Sequence, residues 1–495
     1  MRTPRAPSLL DAVAPVVVLI LLIALTIVIF GTGAADGPLQ IALMVSAVFA
    51  GLVAFKNGYS DASVRDAVIG GVTSALGAIF ILLAVGALIG AWNLSGTIPT
   101  VVTYGLRLLN PTIFYVAVAI ICAVVGAVTG SSWTTAGTLG VAFVGMAPVL
   151  HVPPAAAAGA VISGSYLGDK MSPLSETTIL VPSIVGGVTV DQHIRGMTRT
   201  VIPAFVVALI FFLIMGLTAN TGSTGASTKA AEDALASVFN ISPISLLPLF
   251  LLVVLSLLRL PPFIAIFGTA IVSCAFAAFT QPAVVQSFIG KPDQNAVLTG
   301  VEAAYRAMGQ GFVLKSGNET IDALFSRGGM VSMLTTVWLI FGALSFAAIM
   351  EHAGFLDRLI RPLVGRARST GSLIATVVAT CFGLNVVAGD QYVADVLPSR
   401  AYRDAFARAG LAPRMLSRTV EDSGTVTSPL VPWNSCGAYM TGVLGVPTIE
   451  YLPYAIFNIA NPLIALLFGF TGIGVERLAP AGARPLPGMR GQPVA

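Results

Sequence analysis

The densest group of residues able to do chemistry is Ser163-Gly-Ser-Tyr-Leu-Gly168-Asp169-Lys170-Met-Ser172-Pro173-Leu-Ser175-Glu176-Thr177-Thr178. It packs hydroxyls, glycine, proline and three charges between apolar flanks. A second group, Val420-Glu421-Asp422-Ser423-Gly424-Thr425-Val426-Thr427-Ser428-Pro429, has similar ingredients without a lysine. It continues into Pro432-Trp433-Asn434-Ser435-Cys436-Gly437. A third, shorter group is Gly389-Asp390-Gln-Tyr-Val-Ala-Asp395. Proline removes a backbone donor and, with glycine, breaks a helix. At such a break, free carbonyls and hydroxyls can replace the hydration shell of Na+, and half-helix ends add partial charge.

The carboxylates Asp169, Glu176, Asp390, Asp395, Glu421 and Asp422 are the candidate carriers of protons and cations. Burial favours the neutral form of a carboxyl group, so one site can hold either H+ or Na+ near neutral pH. That competition alone would give exchange. With Asp169 and Asp422, the neutral oxygens of Ser172, Thr427 and Asn434 make up the expected cation ligands. A second chemistry is open to the same residues. Hydroxyls and half-helix N-termini at Ser172, Ser175, Thr177, Thr427 and Ser428, with Asn434, could hold the carboxylate of a small organic acid. The plainer reading is that some acids cap half-helices or pair with a neighbour, Lys170 neutralising Asp169. Asn385, Asn434 and Asn461 could ligate a cation or join helices by hydrogen bonds. His193, between Asp191 and Arg195, reads as a solvated interfacial residue.

These groups sit in a chain built for lipid. Of its 495 residues, 56% are apolar and only 10% charged, and mean hydropathy is +0.90. Nearly uncharged runs such as Val16–Phe30, Ala67–Gly90, Thr112–Val128, Val201–Leu217 and Met330–Met350 approach or reach the roughly 20 residues that cross a bilayer core. The expected fold is an all-α polytopic membrane protein with about 11–13 transmembrane segments, some broken or re-entrant. Spans fall near 13–31, 39–54, 67–92, 111–129, 134–150, 154–180, 199–218, 243–258, 261–279, 329–350, 371–388, 403–430 and 451–472. The N-terminal stretch is long for a cleaved leader and reads as a retained first helix with its start in the cytoplasm. Thr218–Asn240 reads as a loop, Gln281–Gly328 as an amphipathic connector, and the Pro/Gly/Arg-rich end as a disordered tail.

Several classes are excluded. No basic run interleaved with aromatics suggests nucleic acid, and no P-loop, H-E-x-x-H or selectivity-filter repeat is present. Cys122, Cys274, Cys381 and Cys436 lie far apart and show no disulfide or metal spacing. Neither an enzyme nor a bound cofactor is indicated.

An internal repeat organises the chain. Gly168–Leu174 and Gly424–Leu430 share G-x-x-x-S-P-L, 256 positions apart. Ala-Val-Thr-Gly130-Ser-Ser-Trp133 resembles Val-Val-Ala-Gly389-Asp-Gln-Tyr392, offset by 259. The helices ending near Gly96 and Gly354 match at an offset of 258. Lys56 and Arg65 precede the first helix of one copy, whereas Arg358, Arg361, Arg366 and Arg368 follow its counterpart. By the positive-inside rule the two copies therefore cross the membrane in opposite senses. The expected organisation is N-terminal helices over 1–66, a first inverted repeat over 67–218, a linker with two spans and the connector over 219–328, a second repeat over 329–475, and a tail over 476–495.

Both long motifs, Gly164–Thr178 and Glu421–Tyr439, together with Gly389–Asp395, closely resemble the NhaC family of Na+/H+ antiporters across about residues 10–475. The resemblance implies export of Na+, or Li+, driven by proton entry, with these ions as the substrates. It also implies membership of a superfamily that pairs inverted repeats with hairpins and broken helices and often works as dimers in the inner membrane. Some similar proteins exchange organic acids, such as malate against lactate with Na+. The family commonly carries Asp where this chain has Glu176, which keeps the charge but lengthens the side chain.

Overall fold

A computed structural model describes residues 4–108, 110–218, 224–365 and 369–478. Arg366, Arg368 and the tail beyond residue 478 lie outside the described residues, so the expectations placed on them have no structural counterpart. The described chain is helical, with one isolated bridge between Leu411 and Arg477.

The first helices are α1 (Leu9–Phe30), α2 (Pro38–Lys56), α3 (Asp61–Ser74), α4 (Leu76–Leu94), α5 (Thr97–Leu108) and α6 (Pro111–Thr129). Next come α7 (Ser132–Thr135), a π-helical turn over Ala136–Gly140, α8 (Val141–Val149), α9 (Pro154–Met171), α10 (Glu176–Val185) and α11 (Val190–Thr218). The middle holds α12 (Thr224–Val238), α13 (Leu247–Leu257), α14 (Pro262–Thr280), α15 (Pro282–Ile289), α16 (Ala296–Gly309) and α17 (Glu319–Phe325). It is followed by α18 (Leu334–His352), α19 (Phe355–Val364), α20 (Thr370–Val387), α21 (Gln391–Ala401), α22 (Arg403–Arg408) and α23 (Pro413–Val420). After a second π-helical turn over Glu421–Thr425, the chain ends with α24 (Ser435–Leu444), α25 (Thr448–Tyr451) and α26 (Ile456–Thr471).

Eight of these helices are long and apolar enough to cross a membrane, or up to ten spans if each bent pair counts as one. This is a multi-pass membrane protein. The expected spans 154–180 and 403–430 are present as interrupted pieces, and 134–150 runs as a helix through the π-helical turn at Ala136–Gly140. One expectation is overturned. The stretch read as a loop over Thr218–Asn240 contains α12, whose Lys-Ala-Ala-Glu-Asp-Ala-Leu core is made of good helix formers. Glu232 on α12 pairs with Arg107 on α5 at 2.9 Å.

The repeated positions share local conformation. Gly96 and Gly354 both take positive φ, at 72° and 70°, as do Gly130 and Gly389, at 66° and 61°. After each of the latter pair, a helix starts on a side-chain cap: Ser131 accepts from the Thr134 N–H, and Asp390 from the Val393 N–H. Helices α6 and α9 pack closely. A Cβ on Gly164 or Gly168 would lie 2.2 Å from the Ala119 or Ala123 carbonyl oxygen, so only glycine permits this approach. Small residues four apart serve membrane helices in this way.

Candidate functional site

The two polar breaks meet in the interior. In the first, α9 ends at Met171 and α10 starts at Glu176 with Ser175 as its cap, leaving Ser172–Ser175 non-helical. In the second, α23 runs into the π-helical turn Glu421–Thr425 and then a short turn at Ser428–Leu430. Extra-residue turns of this kind are frequent at functional sites.

Lys170 does not pair with its neighbour Asp169. Its Nζ donates to Asp422 Oδ1 at 2.5 Å, and neither side chain is exposed. Adjacent helical residues point about 100° apart, so the reach across to the other segment is the natural one. Asn461 Nδ2 also donates to Asp422 Oδ1 at 3.0 Å, and Arg418 Nε lies 3.9 Å from Oδ2. Asp169 instead accepts from the Ser132 backbone N–H at 3.0 Å and its hydroxyl at 2.7 Å.

Glu421 Oε1 accepts from Thr177 Oγ1, and Asp395 Oδ2 accepts from Thr425 Oγ1, both at 3.0 Å. Both acids are fully buried. Asp390 is only half-buried and caps α21, the plainer of its two expected roles. Glu176 is exposed and accepts from the Tyr392 hydroxyl. Ser172 accepts from the Leu174 N–H at 3.2 Å, Ser175 caps α10, and Ser428 donates to Gln391 Oε1 at 2.9 Å. Thr427 and Asn434 meet through Asn385, which donates to Thr427 at 3.0 Å while its Oδ1 accepts from Asn434 at 3.0 Å. Among the described residues no hydrogen bond or ion pair joins Asp169 to Asp422, Thr427 or Asn434, because Ser132 holds its carboxylate toward α7.

A model of the Na+/H+ antiporter family matches residues 5–191 and 164–473. The chain belongs to this antiporter family. The Na+/H+ antiporter NhaC of Alkalihalophilus pseudofirmus is 38% identical over 440 residues, covering 89% of this chain and 91% of the relative. The malate-2H+/Na+-lactate antiporter of Bacillus subtilis is 33% identical over 95% of this chain and 96% of its own. The arginine/ornithine antiporter ArcD of Halobacterium salinarum is 34% identical over 94% and 93%.

In this antiporter-family chain, several buried residues around the acids escaped the sequence reading. Arg418 sits one turn before Asp422 and also donates to the Gly474 carbonyl at 3.3 Å. Gln391 Oε1 takes both the Ser428 hydroxyl and the Cys436 thiol, the latter at 2.9 Å. Asn458 donates to the Val426 carbonyl at 2.8 Å, bonding backbone near the break. The i,i+4 spacing of Arg418 and Asp422 was a usable signal. His193 corrects an expectation: it is fully buried, with Nδ1 2.9 Å from the Ser417 hydroxyl. It lies on the face of α11 packed against α23 rather than in an open loop.

Proposed function

We propose that this protein exchanges Na+, or Li+, for H+ across the cytoplasmic membrane by alternating access. Cation and protons compete for the buried acids where the two broken segments meet. One observation carries the reading: Lys170 and Asp422, from the two motifs, form an ion pair with no exposed surface. Ionised groups at membrane depth are costly and rarely present without a transport role. Relatives named Na+/H+ antiporters support the same ions as substrates.

Two inverted repeats, the halves 67–218 and 329–475, supply the two segments, and their matched glycines and caps favour this organisation. The inner-facing side is the one that carries Arg5, Lys56 and Arg65. Arg5 donates to Asn57 Oδ1 at 2.7 Å and Lys56 pairs with Asp11 at 2.9 Å, so the start of α1 and the end of α2 share one face. Positive-inside bias puts that face, and the N-terminus, in the cytoplasm. Assembly as a homodimer is part of the proposal.

The test uses purified protein in vesicles holding a pH dye, with Na+, Li+ or K+ added outside. Under exchange, Na+ enters as H+ leaves, and the internal pH rises. Asp422→Asn should abolish the rise. A second reading, Na+-coupled exchange of small organic or amino acids, is favoured by the malate–lactate and arginine–ornithine relatives. No response to Na+ alone, but a response once malate, lactate or arginine is present, would replace the first reading by the second.

A further inference from the structure

The buried charges in the centre do not balance. Apart from Asp11, which pairs with Lys56 at the start of α1, the buried Asp, Glu, Lys and Arg side chains among the described residues are Asp169, Lys170, Asp395, Arg418, Glu421 and Asp422, with the buried His193 imidazole beside the Ser417 hydroxyl. Four carboxylates thus face two cations. Both cations are directed at one acid, Asp422. Asp169 is held by the Ser132 N–H and hydroxyl. Asp395 and Glu421 have no cationic hydrogen-bond or ion-pair partner, though they lie within electrostatic reach of each other and of Lys170.

Each of these acids uses one oxygen and leaves the other bare. Asp395 Oδ2 accepts from Thr425, and Glu421 Oε1 from Thr177. Asp395 Oδ1 and Glu421 Oε2 are buried with no hydrogen-bond partner. The Thr425 hydroxyl stands beside both acids but has one proton to give, so it cannot satisfy the pair. Packing keeps the bare Asp395 oxygen against the second break. A Cβ on Gly424 would lie 2.0 Å from Asp395 Oδ1, so glycine alone allows this carboxylate to sit there. A buried carboxyl group either takes a proton or stays ionised by pairing or by coordinating a metal ion, so this pair can hold a proton or a cation.

We propose that Asp395, Glu421 and the hydroxyl oxygens of Thr177 and Thr425 form a binding site for a small monovalent cation, Na+ or Li+, separate from the Lys170–Asp422 ion pair. The inference rests on the exchange reading for the identity of the cation. The donor set is all oxygen, which suits a hard cation. It draws on α10, α21 and the second π-helical turn, so an occupied site ties the first broken segment to the second. The Lys170–Asp422 contact then serves to hold the segments in register beside that site.

Binding can be read without transport. Detergent-purified full-length protein is unfolded by heat in NaCl, LiCl, KCl, CaCl2 or choline chloride at constant ionic strength in mildly alkaline buffer. A ligand that binds only the folded state raises the midpoint. Na+ and Li+ should raise it over choline, and Asp395→Asn and Glu421→Gln should each lose that rise. Thr425→Val and Thr177→Val, which keep both acids, should weaken it and cover the case in which an acid variant fails to fold. A Na+-dependent rise kept in all four variants overturns the proposal. So does a rise lost in Asp422→Asn but kept in Asp395→Asn and Glu421→Gln, which would place the cation at the ion pair. Stabilisation by Ca2+ in place of Na+ overturns the monovalent assignment. A Na+ rise lost in the acid variants, with no pH change in vesicles, would keep this site while sinking the Na+/H+ exchange reading.

Discussion

Lys170 Nζ and Asp422 Oδ1 stand 2.5 Å apart, fully buried, across a sequence separation of 252 residues. The contact joins the two polar groups, Ser163–Thr178 and Val420–Pro429, through one charged bond. Whatever moves either broken segment must move, lengthen or break it. Asn461 and Arg418 surround the same carboxylate, so Asp422 is the more heavily held partner.

Removing one partner of a buried ion pair leaves an uncompensated charge and costs about 3–5 kcal/mol, whereas replacing both with apolar groups is often neutral. Lys170→Met and Asp422→Leu should therefore each lower the thermal midpoint in detergent sharply. The double variant should recover part of the loss, which a double-mutant cycle measures directly. Strictly additive losses would show that the pair is not coupled.

The α6–α9 contact gives a second prediction, resting on packing alone. Gly168 approaches the Ala123 carbonyl so closely that an added methyl must push the helices apart. Overpacking of this kind costs about 1–3 kcal/mol. Gly168→Ala should lower the unfolding midpoint, and the shift of the neighbouring Asp169 and Lys170 should slow exchange in vesicles. A variant with unchanged midpoint and rate would mean that the helices have slack. Gly196, whose Cβ would meet nothing within 4 Å, is the control position for the midpoint.

On the connector, pH should act locally. The Ser316 hydroxyl and backbone N–H donate to Asp322 at 2.6 and 2.7 Å, and Gly317 N–H adds a longer bond. These bonds hold the Asp322 carboxyl below its usual range. A lowered folded value means that the bonds contribute fully above about pH 4 and are lost as pH falls through the lowered value. Amide exchange at Ser316 and Gly317, corrected for its intrinsic pH dependence, should lose protection only in that acid range. Asp322→Asn should show the loss at every pH.

Much of this architecture is visible in the residues. The matched glycines fall at turns of the same conformation in both halves, because a left-handed position favours glycine. The breaks follow from Ser-Pro and Gly in otherwise apolar helices. Partnerships between segments distant in sequence are not visible in that way. Asp169 and Lys170 are adjacent in sequence, yet one turns to Ser132 and the other to Asp422. Asp395 and Thr425 meet only because Gly424 lets two segments touch. Long-range register decides such contacts, and a single sequence carries none of it. His193 was misread for the same reason: its burial depends on α23 lying over α11.

Glu176 provides the sharpest separation between being near the motif and acting in it. It belongs to the first polar group, yet its side chain is exposed and bonded to the Tyr392 hydroxyl rather than to the buried acids. Exposed charged contacts contribute about 0–1 kcal/mol, a factor of about five at most. Glu176→Gln and Tyr392→Phe should therefore keep Na+-dependent alkalinisation of vesicles within about fivefold of wild type, and the double variant should match the singles. Glu176→Asp, one methylene shorter, should behave like Glu176→Gln if reach to Tyr392 is what the longer side chain supplies. Loss as complete as that of Asp422→Asn in the glutamate variants, with Tyr392→Phe unaffected, would instead return Glu176 to the ion-binding set.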